Sequence, residues 1–429
     1  MKIRLIKSKD NFIVKVIYYI TLIIALFLST PYLSRNCTQI MLLLVFGWSV
    51  SVIALFFIKG IRIKQIRLSI LLIIWISIII FYRVIGKSSA SLGNYYEVIL
   101  FYFSFFVMLI ADSYFSQLLK KRLAICIIIF ISLNLVHNIY LNSLYPYAST
   151  VIMTPDGASL LSTNVGSTSF STMIYIFIGI MLILYFNIKS FTFKIFSLVT
   201  VILACYLILF QHARATSTIL TMLLLGGLLI DRLLIKFHKN EKFIMKIGLL
   251  FILCICLIPF LNIIIDKIDN ERLASRIEWF RNLLTGNLSI GIIDQNSLST
   301  RLYLIQATIK TFFTSTSNFL FGVGYNLTET KSIQQMLAIT GVGYHSELID
   351  VLGTYGIIGG YFLYSILYQY WKMIKIGLSK RNIQQYKAIY TGFIIYCSFN
   401  LAFHGEIAVS ILLLLPFSKY LLSDFRQES

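Results

Sequence analysis

Long apolar runs separated by short basic clusters follow one another from Phe12 to Leu421. They fall at Phe12–Leu28, Ile40–Ile58, Leu68–Tyr82, Tyr95–Ile110, Leu123–Leu141, Phe170–Phe186, Phe193–Phe210, Thr216–Ile235, Ile247–Ile265, Leu348–Tyr370, Tyr386–Leu401 and Ile407–Leu421. A helix needs about 20 mostly apolar residues to cross a hydrocarbon core. It is also the one open segment that satisfies its own backbone N–H and C=O groups there. The expected fold is therefore all-α, a polytopic membrane protein with about twelve transmembrane helices. With 58% hydrophobic and only 13% charged residues, a water-soluble globule is excluded.

The formal charge of +20 would point to nucleic acid in a soluble chain. Here its distribution decides otherwise. With Lys2, Arg4, Lys7, Lys9 and Lys15 placed in the cytoplasm, about 26 of the 37 Lys and Arg fall on cytoplasmic connections, as the positive-inside rule requires. Most of the remainder lie in one connection too long to count under that rule. Both termini are expected in the cytoplasm, with membrane lipids and not nucleic acid as surroundings. The first run follows a basic segment but has no clean small-x-small cleavage site before Pro31, so it is read as a retained span.

Three regions follow: residues 1–265 with spans one to nine and a polar external loop at 142–169, residues 266–347 as a long external loop, and residues 348–429 with the last three spans. The first loop has no Lys or Arg and is rich in Ser, Thr, Asn and Gly around Pro146 and Pro155. The second carries helical patterning. Leu273, Ile277, Phe280 and Leu284 recur at helical spacing, with Trp279 alongside, as in a helix lying on the membrane interface. A second amphipathic helix is expected from about Ser299 to Phe313, with Leu302, Ile305, Ile309 and Phe312 as its stripe. Five of the six cysteines fall inside spans and act as small hydrophobes, so neither a disulfide nor a metal site is expected.

Charged groups at the mouth of such a bundle are the first candidates for chemistry. Arg214 lies in the turn Gln211-His212-Ala213-Arg214-Ala215, just before Thr216, Ser217 and Thr218 open a span. A guanidinium beside a helix N-terminus suits an anion, although an arginine there can equally snorkel to the interface. Arg301, in Ser299-Thr300-Arg301-Leu302, combines the same features, and its planar fork can hold two phosphate oxygens. Arg276 is a rival for that role, and either can be a solvated surface arginine. His345 lies in Gly341-Val342-Gly343-Tyr344-His345-Ser346-Glu347, with Asp350 one turn on. An imidazole at the membrane rim can take a proton near neutral pH, and Glu347 or Asp350 can orient or replace it. A histidine at a helix end can also be purely structural. Gly322-Val323-Gly324 and Gly341-Val342-Gly343 do not sit in a strand-to-helix unit, so a nucleotide fold is rejected. Gly356 and Gly360 form a small-xxx-small pair suited to close helix packing. Asn134 and His137 are read as polar packing or cavity residues.

Four stretches occur in order: Ser162-Thr163-Asn164; Gln211-His212-Ala213-Arg214; Ser299-Thr300-Arg301 followed by Phe321-Gly322-Val323-Gly324-Tyr325-Asn326; and His345-Ser346-Glu347 followed by Leu352-Gly353-Thr354-Tyr355-Gly356-Ile357-Ile358-Gly359. Together they resemble the O-antigen polymerase and ligase family, the Wzy-like polymerases and their lipid A–core ligase relatives. His212 and Ala213 depart from the serine that relatives often carry before the arginine. The resemblance implies a GT-C-like glycosyltransferase that takes undecaprenyl-pyrophosphate-linked oligosaccharides at the outer membrane face and needs no cofactor or metal. It assigns pyrophosphate to Arg214, Arg301 or Arg276, and base chemistry to His345 and Glu347. Asn164, Tyr344 and Asp350 would meet glycan. A chain-length regulator is an expected partner. The abundance of Ile and Lys points to an AT-rich genome and so favours a capsular or exopolysaccharide polymerase over a ligase. A flippase or other transporter is the competing class, and it would show related halves and broken spans, neither of which the sequence displays.

This topology places Lys239 and Arg381 in the cytoplasm and Asp156 and Asp294 outside. Single-cysteine labelling of intact cells should reach positions 156 and 294 and spare the other two. Labelling of position 294 only after permeabilisation would put the His345 and Arg301 regions in the wrong compartment.

Overall fold

The computed structural model describes residues 12–59, 65–85, 96–144, 168–212, 215–233, 298–324, 340–403 and 406–422, together with the isolated positions 248, 259, 262, 265, 278, 281 and 337. Among the described residues there is no strand. The helices in chain order are α1 (Phe12–Ser29), α2 (Pro31–Asn36), α3 (Thr38–Lys59), α4 (Ile66–Ile85), α5 (Tyr96–Tyr114), α6 (Gln117–Leu144), α7 (Thr168–Asn187), α8 (Phe191–Tyr206), α9 (Ala215–Leu233), α10 (Leu298–Phe312), α11 (Thr316–Phe321), α12 (Glu347–Lys375), α13 (Lys380–Phe399) and α14 (Ile407–Leu421). A π-turn, Leu207–His212, continues α8.

The described residues are all-helical, with the apolar helices of a membrane protein. Five helices, α1, α6, α7, α8 with the start of its π-turn, and α12, are long and apolar enough to cross a hydrocarbon core. α3, α4, α5, α9 and α14 contain shorter apolar stretches. α13 opens on Lys380, Arg381 and Asn382, so its apolar content is confined to its later turns. The ninth expected run, Ile247–Ile265, lies outside the described residues except at positions 248, 259, 262 and 265. The faces explain the composition. α1 buries Val14, Ile17, Tyr18, Thr21, Ile24 and Ala25 at helical spacing, yet its opposite face exposes Phe12, Tyr19, Ile23 and Leu26. A helix apolar on both sides is stable only where its outer face meets lipid.

Contacts divide the chain into two compact units. The first comprises Met1–Asn134, Leu302–Leu378 and Cys397–Ser429; the second comprises Leu135–Arg301 and Ser379–Tyr396. In the first unit α3 packs between α1 and α5, and α4 packs against both α5 and α12. Its aromatic core is continuous: Trp75 sits edge-on to Tyr355 at 5.2 Å and to Tyr102 at 6.1 Å, while Phe403 lies 5.1 Å from Phe101 and 5.5 Å from Tyr102. Lys120, only 3% exposed, reaches Asp112 at 2.6 Å and the Tyr420 hydroxyl at 3.2 Å. Removing Asp112, itself 26% exposed, would leave the buried ammonium without its counter-charge. In α14 the π-turn Ser410–Leu414 frees a carbonyl at Ile411, which accepts from the Tyr370 hydroxyl. In the second unit α7 is buried almost all round and packs on α8 and α9.

α12 is not one helix but two, joined at Gly356, whose φ of 66° and ψ of −163° break the ladder. The freed carbonyls are taken up locally: Val323 N–H donates to the Gly353 carbonyl at 2.9 Å and Gly324 N–H to the Thr354 carbonyl at 3.0 Å. Gly322, with φ 70°, lets this strand of backbone lie directly on Thr354. Gly356 in turn accommodates the Leu320 carbonyl and Phe321 N–H, and a Cβ would run into both. Gly356 thus admits the last turn of α11 against α12, the close helix packing expected of a small residue but at a break in the helix, whereas Gly360 meets only Leu352 and Tyr364 of its own helix. The expectation of unbroken spans is corrected.

Three further boundaries differ. α6 continues through Asn142 and Ser143 to Leu144, and α7 begins at Thr168, so the polar loop narrows to 145–167, outside the described residues. In α10 the buried line is Leu304, Thr308 and Phe312, whereas Leu302 and Ile309 of the expected stripe are exposed. The small residues opposite decide this, since Gly343 and Gly353 admit the Leu304 backbone and Thr308 methyl. Of the interfacial helix expected over Glu271–Leu284, Glu278 and Arg281 are described; both are helical and form an exposed 2.9 Å ion pair.

The break makes Gly356 intolerant of a side chain on two grounds, a left-handed φ and a backbone contact. Gly356→Ala should destabilise the protein by about 2–4 kcal/mol, read as lowered thermal stability in detergent. An unchanged melting profile would show that the break is not required.

Candidate functional site

The described candidates gather where the loop Gly341–Ser346 enters α12. Ser346 is the N-cap, its Oγ accepting from Ile349 N–H at 3.2 Å. Asp350 Oδ2 reciprocates by accepting from Ser346 N–H at 2.6 Å. The pair is a capping box lengthened by one residue, closing two backbone donors that would otherwise be unsatisfied. Asp350 also accepts from the backbone N–H of His345, and its Oδ1 lies 3.0 Å from the Thr308 hydroxyl of α10. Thr308 Oγ1 accepts from Gly343 N–H at 2.8 Å, and Thr311 Oγ1 donates to the Gly341 carbonyl at 2.8 Å. The loop is clamped by α10 on one side and by the first turn of its own helix on the other.

That clamp holds an unfavourable backbone. Tyr344 has φ 49°, the only non-glycine residue with positive φ among those described. An aromatic residue in this region costs about 1–3 kcal/mol and persists only where its surroundings over-determine it. Five hydrogen bonds from Thr308, Thr311, Ser346 and Asp350 provide the determination. The consequence is a fixed presentation of Tyr344 and His345, both half-buried. His345 Nδ1 lies 3.1 Å from the Tyr344 carbonyl. In the tautomer that donates there, Nε2 carries the lone pair.

Glu347 faces a different neighbour. Its N–H donates to the Asn400 carbonyl at 3.2 Å, and its Oε2 accepts from Ala402 N–H at 3.1 Å. The segment after α13 is thereby tied to the start of α12. Electrostatically the carboxylate acts on the Tyr102 hydroxyl and the Cys397 thiol, so one acidic group sits above the aromatic core of the first unit. Glu406, 2% exposed, begins α14 just beyond.

Asp350 has a structural task. It is 6% exposed with both oxygens engaged by the loop and by Thr308, and so holds the backbone that carries His345. Arg301 lies in the first turn of α10 and belongs to the second unit, half-buried and within electrostatic reach of Tyr396. Burial lowers its pKa and Tyr396 partly opposes that shift. A guanidinium remains a cation through such a change. Arg214, Arg276 and Asn164 lie outside the described residues. Asn134 is a packing residue, its Nδ2 donating to the Phe130 carbonyl at 2.8 Å, and His137 is exposed.

Thr308 and Asn400 were not foreseen. Thr308 had a legible signal, a polar residue one turn from each of Leu304 and Phe312, whereas Asn400 contributes a backbone carbonyl that no side-chain pattern reveals. Among the described residues no group of three His, Cys, Asp or Glu gathers as a metal site. The sequence matches no protein-family model, and no curated protein matches it significantly.

Proposed function

We propose that this chain is a membrane glycosyltransferase that polymerises lipid-pyrophosphate-linked glycan repeat units at the outer face of a bacterial plasma membrane, within a bundle of about twelve spans of GT-C-like architecture. The observation that carries this function is the strained, five-bonded loop that fixes His345 next to Glu347 at the mouth of a spanning helix. Strain of this kind is kept where a group must be held ready for chemistry.

The acceptor hydroxyl of one lipid-linked repeat unit attacks the anomeric carbon of the donor glycan. A new C–O bond forms, and the bond from that carbon to the pyrophosphate oxygen breaks with its electron pair leaving on the diphosphate. His345 Nε2 receives the hydroxyl proton, with the Glu347 carboxylate assigned on the family resemblance as the group that can help or replace it. Arg214, Arg301 and Arg276 are assigned to the departing charge on the family resemblance. Fixed cations aimed at developing charge are the largest lever in such transfers. A ligase, moving finished glycan to another acceptor, would use the same groups.

The break at Gly356 favours a second function. Spans interrupted near a site, with their backbone groups taken up by a loop, are a feature of transporters. A lipid-linked oligosaccharide flippase would need that hinge and would not need His345 as a base.

The two functions separate on substitution. His345→Ala should lower polymer formation about 10²–10⁴-fold, the usual contribution of a general base, and leave single lipid-linked repeats to accumulate outside. Arg301→Lys should rescue Arg301→Ala poorly, since it loses the fork. Asp350→Asn should instead lower the amount of folded protein, by about 1–3 kcal/mol of stability, with turnover per folded molecule largely kept. Extracellular long polymer from normal amounts of the His345→Ala protein would overturn the transferase function, and intracellular accumulation of single repeats would favour the flippase.

A further inference from the structure

The second unit contains a polar cluster that the transfer chemistry does not use. The π-turn Leu207–His212 inserts an extra residue at the end of α8 and brings Gln211 and His212 against α6 and α7. Such turns recur at functional sites. His212 is fully buried, with Nδ1 2.8 Å from Ser171 Oγ and Nε2 3.4 Å from Asn142 Nδ2. Asn142, 5% exposed, donates its other N–H to the Asn138 carbonyl at 2.8 Å. Gln211 Nε2 reaches the Ile139 carbonyl and Ser143 Oγ, both at 3.2 Å.

Every donor of the two side-chain amides is therefore accounted for, while their acceptors are not. Asn142 Oδ1 and Gln211 Oε1 are buried and have no hydrogen-bond partner among the described residues. An orphaned buried amide oxygen is costly, and two in one cluster call for a donor. Flipping Asn142 would aim its amide N–H₂ at the unfilled side but would forfeit the bond to Asn138, so rearrangement within the protein does not satisfy the site. None of the cluster's side chains is charged, which makes it a poor match for a pyrophosphate and a good one for a neutral ligand offering O–H or N–H groups. α6 ends two residues after Asn142, at the border of the polar segment 145–167.

We infer that Asn142 and Gln211 form a sugar-hydroxyl subsite, their amide oxygens accepting hydrogen bonds from the glycan of the lipid-linked substrate, with His212 and Ser171 as positioning residues that hold Asn142 in place. The subsite rests on the proposed glycan transfer. It contributes recognition of the sugar and takes no part in proton transfer. Ordered water is the alternative source of donors.

The test is photocrosslinking in cells fed an azide-bearing sugar that enters the repeat unit. A benzophenone amino acid is placed at Gln211 in one full-length protein, at Tyr344 in a second and at Ile202, on an exposed face of α8, in a third. Crosslinking of azide-labelled glycan at 211 and 344 but not at 202 is the expected result. Labelling at 344 alone would overturn the subsite and leave the transferase standing, with water as the donor at Asn142. No labelling at either position would overturn both. Because a benzophenone can itself disturb folding, Gln211→Glu and Gln211→Met provide the second arm, assayed as polymer length per unit of protein. Glu keeps the Oε1 acceptor, with a second oxygen in place of the amide N–H₂, and should retain long polymer, whereas Met should shorten it several-fold at normal abundance. Equal loss of abundance in both variants would make Gln211 a packing residue and overturn the subsite.

Discussion

Every backbone N–H and C=O at membrane depth must find a partner inside the protein, and each irregular feature of this chain shows how that is done. Where α12 breaks at Gly356, the Gly322–Gly324 backbone supplies the N–H groups that the carbonyls of Gly353 and Thr354 need. Where the loop 341–346 enters the same helix, Asp350, Ser346 and Thr308 close its open groups. Where α14 is wound as a π-turn, the Tyr370 hydroxyl occupies the released carbonyl. Irregular backbone survives in lipid only under that condition. The glycine pairs 322/324 and 341/343 read in this light as places where one backbone must lie on another, which explains why neither looked like a phosphate loop in context.

The same requirement accounts for the strained Tyr344. A loop free to relax would return this residue to an ordinary conformation, but α10 and the first turn of α12 hold it from opposite sides. Asp350 serves that clamp, so the two acidic residues near His345 divide their work. Glu347 remains associated with the 400–402 segment and the aromatic core, and Asp350 fixes the geometry. The three acid–base groups clustered in the sequence thus sit in different surroundings: His345 on the clamped loop, Glu347 against the 400–402 segment and Asp350 within the clamp.

Much of the fold was legible because hydrophobic runs of spanning length carry a strong signal: α1, α3 to α9, α12, α13 and α14 all occur where the apolar runs predicted helices. Polar irregularities were not legible, for a physical reason. A break at Gly356 depends on a loop some thirty residues upstream arriving with two N–H groups, and nothing local to Leu352–Gly360 encodes that arrival. The stripe of α10 differs because Gly343 and Gly353, distant in sequence, make room for Leu304 and Thr308, so Leu302 and Ile309 are outside while Thr308 is within. His345, Glu347 and Asp350 were singled out from a dense local motif, which lies where the loop 341–346 enters α12. Asn142, Ser171 and the Gln211–His212 pair come from three separate segments, and only tertiary contact reveals the unsatisfied acceptors of Asn142 and Gln211 in one cluster.

The central claim is transfer of glycan from a lipid pyrophosphate with this chain's own side chains as base and counter-charge. It is tested most directly with the purified protein in lipid vesicles, supplied with lipid-linked repeat units in the presence of EDTA. Products of two and more repeats should form, with one lipid pyrophosphate released for each new linkage. Recovery of unelongated repeats alone, or elongation that appears only when magnesium or manganese is restored, would contradict it.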